Sequence, residues 1–210
     1  MAKRKTSSRK ASKKAAKRKP PVKKTKKVAK KAVKKPVKRP ARPAAPPLPS
    51  AKQQYLEVLK AEAPRTLKVM RAFPADKGDF QPHPRSMSAK RLMWTFAMEQ
   101  GMTRAALEGT LTMPPPMAPE PATLGEVLAA YEKGVGDLVQ ALGRTREAKL
   151  FEKVPFPTGP GQMGEVPIID IMWLMLMDSI HHRGQLSVYI RLAGGKVPSI
   201  YGPSADEPWM

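Results

Sequence analysis

Cysteine is absent from all 210 residues. That excludes disulfides and thiolate metal sites, and it suits a reducing cytosol. Aromatic residues make up only 6% of the chain, and none lies in the first 50 positions. That same stretch holds no Asp, Glu, Asn or Gln, so it has no ring to stack on a base and no acid or amide to read a base edge. No run reaches the roughly 18 apolar residues of a membrane span. The best candidate, "IMWLMLM", lies between Asp170 and Asp178. The N-terminus lacks the apolar core of a secretory signal, and Lys outnumbers the Arg and Ser that a transit peptide favours.

What is abundant is positive charge, and it is segregated. The net charge is +22, and residues 1–50 hold 21 of the 39 Lys and Arg but none of the 17 acidic residues. The remainder carries 18 basic and 17 acidic residues, a balance of +1. Two physical objects therefore share one chain: a polycationic arm over 1–50 and a nearly neutral body over 51–210. A body of that size buries roughly 70% of its unfolded surface, which predicts one domain.

The arm is built from Lys, Ala, Pro and Val, as in "KKTKKVAKKAVKKPVKRPARPAAPPLP". It cannot bury enough apolar surface to offset its chain entropy, so it is expected to be disordered, with an extended Pro-rich linker from about Pro36 to Pro49. One reading is a solvated, repulsive extension or a sorting signal. The other is a counterion-releasing arm for DNA or RNA. Its contacts would come from Lys13, Lys14, Lys17, Arg18, Lys19, Lys23, Lys24, Lys26, Lys27, Lys30, Lys31, Lys34, Lys35, Lys38 and Arg39. Such binding would be indifferent to sequence and strongly salt-dependent. The composition resembles the Lys/Ala/Pro tails of linker histones and of the bacterial histone-like proteins.

The body reads as all-α. Ser50 can cap a first helix from about Ala51 to Phe73, which Pro64 should kink or split. Ser86 or Ser88 can cap a second, from Ala89 to Leu107. Clustered prolines from Pro114 to Pro121 then impose an extended crossover. "TLGE" opens a third helix, with Thr123 and Glu126 as a capping box. The segment "FEKVPFPTGPGQMGEVP" reads as a long irregular connection, and no run alternates long enough for a sheet. Pro167 fits the first turn of a fourth helix, which Gly194 and Gly195 end. Four long helices with long crossovers predict a four-helix bundle, whose sites form in the core from facing helices.

The fourth helix poses the chemical question. Within "MLMDSIHHRGQLSVYIR", Asp178 and His182 are spaced i,i+4 on the stripe of Ile171, Met175, Leu186 and Tyr189. Their Cβ atoms would lie about 5–6 Å apart on one face. A buried carboxylate must be paired, hydrogen-bonded or metal-bound. The pair can share a divalent cation, or it can hydrogen-bond internally and only fix helix register. His181 sits about 100° round the helix, and Arg183 is expected to point outward or toward a partner chain.

"HHRGQLSVYIRLAGGKVPSIYGPSADE" closely resembles the C-terminal signature of the DinB-like superfamily, which includes bacillithiol- and mycothiol-linked enzymes. The resemblance runs from about Tyr55 to Glu207. It implies a bundle of four helices, often dimeric, with a divalent metal at one end held by one histidine of the second helix and two of the fourth. Carried over by position, His182 matches the last ligand, Asp178 occupies the preceding one, and Thr95 stands in "MWTF" where the second-helix histidine belongs. Threonine is a poor ligand, so the three-histidine set is incomplete. Glu99, one turn after Thr95, can complete an oxygen-richer site with Asp178 and His182, or can be an exposed helix charge. Such a site would favour Mn, Mg or Fe over Zn, with Ni also compatible. His83 lies in a loop too far back along the chain to join it.

Two functions follow. One is a metal-dependent hydrolase or thiol transferase localised on nucleic acid by its arm. The other is a non-enzymatic, nucleoid-associated DNA-binding protein whose bundle serves dimerisation or ligand binding. Both imply a cytoplasmic, bacterial homodimer with no membrane partner.

Overall fold

The structure is a computed structural model that describes residues 48–116 and 118–210. The cationic arm, with its candidate nucleic-acid contacts and most of the Pro-rich linker, lies outside the described residues. Four helices form the body: α1 (Ala51–Arg71), α2 (Ala89–Glu108), α3 (Leu124–Arg144) and α4 (Ile168–Leu192). Both α1 and α2 pack against α3 and α4, so α1 and α2 occupy opposite corners of the bundle. Among the described residues, no helix is long and apolar enough to cross a membrane.

The helix starts follow from local chemistry. Ser50 and Gln53 form a reciprocal capping box, as do Thr123 and Glu126. Of the two candidate serines, Ser88 caps α2, accepting from the Arg91 amide at 3.2 Å. Gly109 and Gly194 adopt left-handed φ values of 75° and 80° just beyond α2 and α4. Side chains with a Cβ disfavour that conformation, so these positions stop the helices. Pro64 does not split α1. Its ring is exposed, so the carbonyl left without a backbone donor faces water. The core interlocks Tyr55 and Leu59 of α1, Leu92 and Phe96 of α2, Leu138 and Leu142 of α3, and Leu186 and Ile190 of α4. Tyr55 meets Trp173 edge-on at 5.1 Å, joining α1 to α4.

The connection before α4 corrects the sequence reading. After a short 3-10 turn at Glu147–Phe151, β1 (Lys153–Gly159) and β2 (Gln162–Pro167) pair as an antiparallel hairpin. Pro160 and Gly161 make the turn, with Gly161 at φ 67°. Periodicity could not reveal the hairpin because only Phe156 of β1 is buried, against Ile171 and Met175. Prolines 155 and 157 also mask the strand pattern.

Arg183 is the second correction. It is 1% exposed rather than outward-facing. Its guanidinium lies 2.7 Å from the Glu62 carboxylate of α1, donates to the Thr66 hydroxyl at 3.2 Å, and donates to the Tyr201 hydroxyl. Tyr201 in turn donates to Glu62 at 2.6 Å. Arg65 meets the other Glu62 oxygen at 2.8 Å. The segment after α4 is thus tied back to the bundle. Asp206 pairs with Arg191 and accepts from the Val197 amide at 2.8 Å, while Glu207 meets Lys68 of α1 at 2.6 Å. Burial pushes the Glu62 carboxyl up, but the hydrogen bonds from Tyr201 and Arg183 and the charges of Arg183 and Arg65 outweigh it. The net effect holds Glu62 below its ordinary 4.5.

Removing one partner of a buried ion pair strands the other. Arg183→Met should therefore cost about 3–5 kcal/mol, read as a lowered urea midpoint at neutral pH, and adding Glu62→Gln should restore part of the loss. Because Glu62 is depressed on folding, its stabilising contribution is complete above its unfolded value of 4.5 and is lost as pH falls through the lower folded value. The stability gap between the wild type and Glu62→Gln should narrow on acidification; a constant gap would contradict this.

Candidate metal centre

Where α2 packs against α4, three of the sequence candidates converge. Glu99 of α2 is 3% exposed, which decides against the surface-charge reading. Its Oε1 lies 2.9 Å from His182 Nδ1. The same nitrogen is 3.8 Å from an Asp178 carboxylate oxygen. One donor atom from each of Glu99, Asp178 and His182 lies within 4.8 Å of the other two.

The supporting residues explain how the carboxylate is held. Ser179, one residue past Asp178 and buried, donates its hydroxyl to the second Glu99 oxygen. The sequence reading missed it. Its i,i+3 spacing from His182 was the available signal, since that spacing shares a helix face. Phe96, one turn before Glu99, stands edge-on to the His182 ring at 6.3 Å and shields that side. Asp178 is the open member, its side chain 42% exposed.

Electrostatics set the resting protonation. Burial raises the Glu99 carboxyl above its ordinary value, against the pull of hydrogen bonds from His182 and Ser179. The Glu99 hydrogen bond raises His182, against its own partial burial. Both directions favour keeping a proton on the Glu99–His182 pair.

The other candidates stand aside. Thr95 turns its hydroxyl back to the Arg91 carbonyl of its own helix at 3.2 Å. His181 is exposed and accepts from the Gln185 side-chain amide at 2.8 Å. His83 is exposed in the α1–α2 loop, where Nδ1 accepts from the Arg85 amide at 3.1 Å.

The donor set suits a small divalent ion. Bonds of about 2.1 Å let opposite ligands of one ion lie about 4 Å apart, and the 2.9 Å and 3.8 Å separations fall inside that span. Two carboxylates and one imidazole form a hard, oxygen-rich set. A cavity of about 700 Å³ opens beside the cluster, with Thr95, Glu99 and Asp178 in its wall.

Comparison with known proteins agrees with the architecture. The YrdA protein of Bacillus subtilis strain 168 is 25% identical over 154 residues, 73% of this chain and 89% of its own length. The solved DinB-like protein of Bacillus cereus ATCC 10987 superposes with a TM-score of 0.56 at 21% identity, covering 70% of this chain and 95% of that one. The solved DinB-like protein YjoA of Bacillus subtilis gives a TM-score of 0.57 at 19% identity, covering 70% and 97%. These two likenesses concern the fold. The family model described as the DinB family matches residues 48–209. With most of its length inside that match, the chain belongs to the DinB family.

Proposed function

We propose that this protein binds a divalent metal between α2 and α4, through Glu99, Asp178 and His182, and that residues 1–50 carry the bundle onto nucleic acid. The observation that supports the first part is the convergence of three donor atoms within 4.8 Å, around a carboxylate too buried to be a surface charge. A bound ion supplies Lewis-acid chemistry: it acidifies water or polarises a ligand oxygen. The protein's own part is positional. Ser179 fixes the Glu99 carboxylate, and that carboxylate orients the His182 ring. Half-exposed Asp178 faces the cavity through which a reactant would enter. This arrangement supports a metal-dependent hydrolase or thiol transferase, and the oxygen-rich set favours Mn, Mg or Fe over Zn.

Purified protein dialysed against Mn should hold one equivalent by elemental analysis, and Glu99→Ala, Asp178→Ala and His182→Ala should each lose it. Full retention in all three variants would refute the site.

The charge segregation of the chain supports the second part. Binding of the full chain to duplex DNA should be indifferent to sequence. If 6–10 phosphates are engaged, affinity should fall about 10³–10⁵-fold between 50 and 200 mM salt. Deleting residues 1–50 should abolish the mobility shift. A shift that survives the deletion would assign binding to the body. DNA binding without metal would favour the non-enzymatic, nucleoid-associated reading.

A homodimer is supported by α4, whose outer face presents Leu174, Met177, Val188 and Leu192, each about half exposed or more. Light scattering should give twice the monomer mass, and Met177→Glu combined with Val188→Glu should return it to the monomer value.

A further inference from the structure

We propose that the cavity beside the triad is the binding site for an uncharged, largely apolar small molecule whose single oxygen-donor head meets the metal. This deepens the metal reading and rests on it for the role of the head. The cavity, about 700 Å³, falls in the range of small-molecule sites. Its charged lining is Glu99 and Asp178, two of the three candidate metal donors, with Thr95 beside them. The rest of the lining is mostly apolar, with Trp94, Met98, Met102, Leu111 and Met175, and Thr110 and Thr112 as its only other hydroxyls among the described residues. Thioether and aromatic side chains of this kind adapt to apolar ligands of irregular shape.

Charge decides the ligand class. Among the described residues, no Lys, Arg or His lines the cavity. A phosphate, sulfate or polycarboxylate body would lose its hydration and find no countercharge, which is unfavourable. Two carboxylates with a divalent ion sum to zero, so the metal leaves no positive excess for an anionic body either. A polyhydroxylated body fares no better, because the apolar walls offer its hydroxyls few partners. What remains is an apolar body with one donor head.

Two prolines stiffen part of the cavity wall. One wall is the crossover after α2, including Pro115 and Pro116. Proline fixes its φ, so this wall has little backbone entropy to lose on binding. The opposite walls are the helices α2 and α4.

The test uses the full chain, loaded with Mn or metal-free, and two probe series. The first is n-alkyl hydroxamic acids from four to ten carbons, whose head chelates a divalent ion. The second is n-alkanols of the same lengths, which carry no chelating head. Affinity should rise about fourfold per added methylene in both series until the cavity is filled. Octanohydroxamic acid should bind far more tightly than its polar analogue succinohydroxamic acid. Ala105 lines the cavity, so Ala105→Trp should flatten the chain-length dependence while leaving acetohydroxamic acid binding to the Mn form unchanged. Gly101 also lines the cavity, and a Cβ there meets no atom within 4 Å, so Gly101→Leu is a second obstruction.

If hydroxamates fail to bind but the alkanol slope remains, the cavity's preference for apolar bodies stands and the metal reading falls. If hydroxamates bind the Mn form with no chain-length dependence, or if succinohydroxamic acid binds as well as octanohydroxamic acid, the metal stands and the proposal for the cavity is overturned. A slope unaltered by both obstructing variants places the apolar contact elsewhere and also overturns it.

Discussion

Two buried carboxylates, Glu62 of α1 and Glu99 of α2, are satisfied by side chains that lie within four residues of each other on α4. Arg183 and, through the returning C-terminal segment, Tyr201 meet Glu62. His182 and Ser179 meet Glu99. A carboxylate in an apolar bundle is tolerated only with such partners. The fourth helix is apolar around most of its circumference, so hydrophobic packing alone would let it slide or rotate at little cost. The polar pairings remove that freedom. A one-residue slip would strand both carboxylates at once. Adjacent residues, His182 and Arg183, thus fix α4 against two different helices, and the geometry at the candidate metal centre depends on that register.

The parts of the molecule legible in the sequence are those decided by neighbours in sequence. Ser50, Ser88 and Thr123 announce their helices because a cap reads only the next three residues. The i,i+4 spacing of Asp178 and His182 is likewise local, and the structure brings both to Glu99. What escaped depends on distant partners. Arg183 looks like a surface cation until Glu62, 121 positions away, is brought beside it. Ser179 looks like an ordinary helix serine until Glu99, 80 positions away, accepts its hydroxyl. The β1–β2 hairpin escaped for a different reason. Its strands are mostly exposed and hold to the core chiefly through Phe156, so no alternation records them.

The departure at Thr95 has a physical consequence for the site. The resemblance to relatives implies a histidine there, and this chain has a hydroxyl that bonds its own helix, as threonine does when no external partner claims it. Glu99, one turn on, faces the same α4 residues from a more buried position. Replacing an imidazole by a carboxylate, twice if Asp178 is included, exchanges neutral donors for anionic ones. Without a metal, the buried Glu99 charge cannot stay bare, and the upward shifts of Glu99 and His182 favour a proton held in its place. A cation entering the cluster would have to displace that proton, so the buried carboxylate that would hold the ion also sets what must leave.

On the proposed function, the charge segregation along the chain would separate two activities that could otherwise interfere. The body is balanced to within one charge, whereas the first 50 residues carry nearly the whole excess. A nearly neutral body would steer polyanions little at long range and would compete little with its own arm for phosphate. The acidic cluster at the metal centre would repel nucleic acid, and the cavity beside it offers no cation to hold a phosphate. On the proposed function, polyanion affinity and bundle chemistry would occupy different stretches of sequence and respond to different variables: ionic strength for the arm, metal and apolar surface for the bundle. A mutation in one stretch should leave the other's behaviour intact, which is the physical content of calling them separate modules.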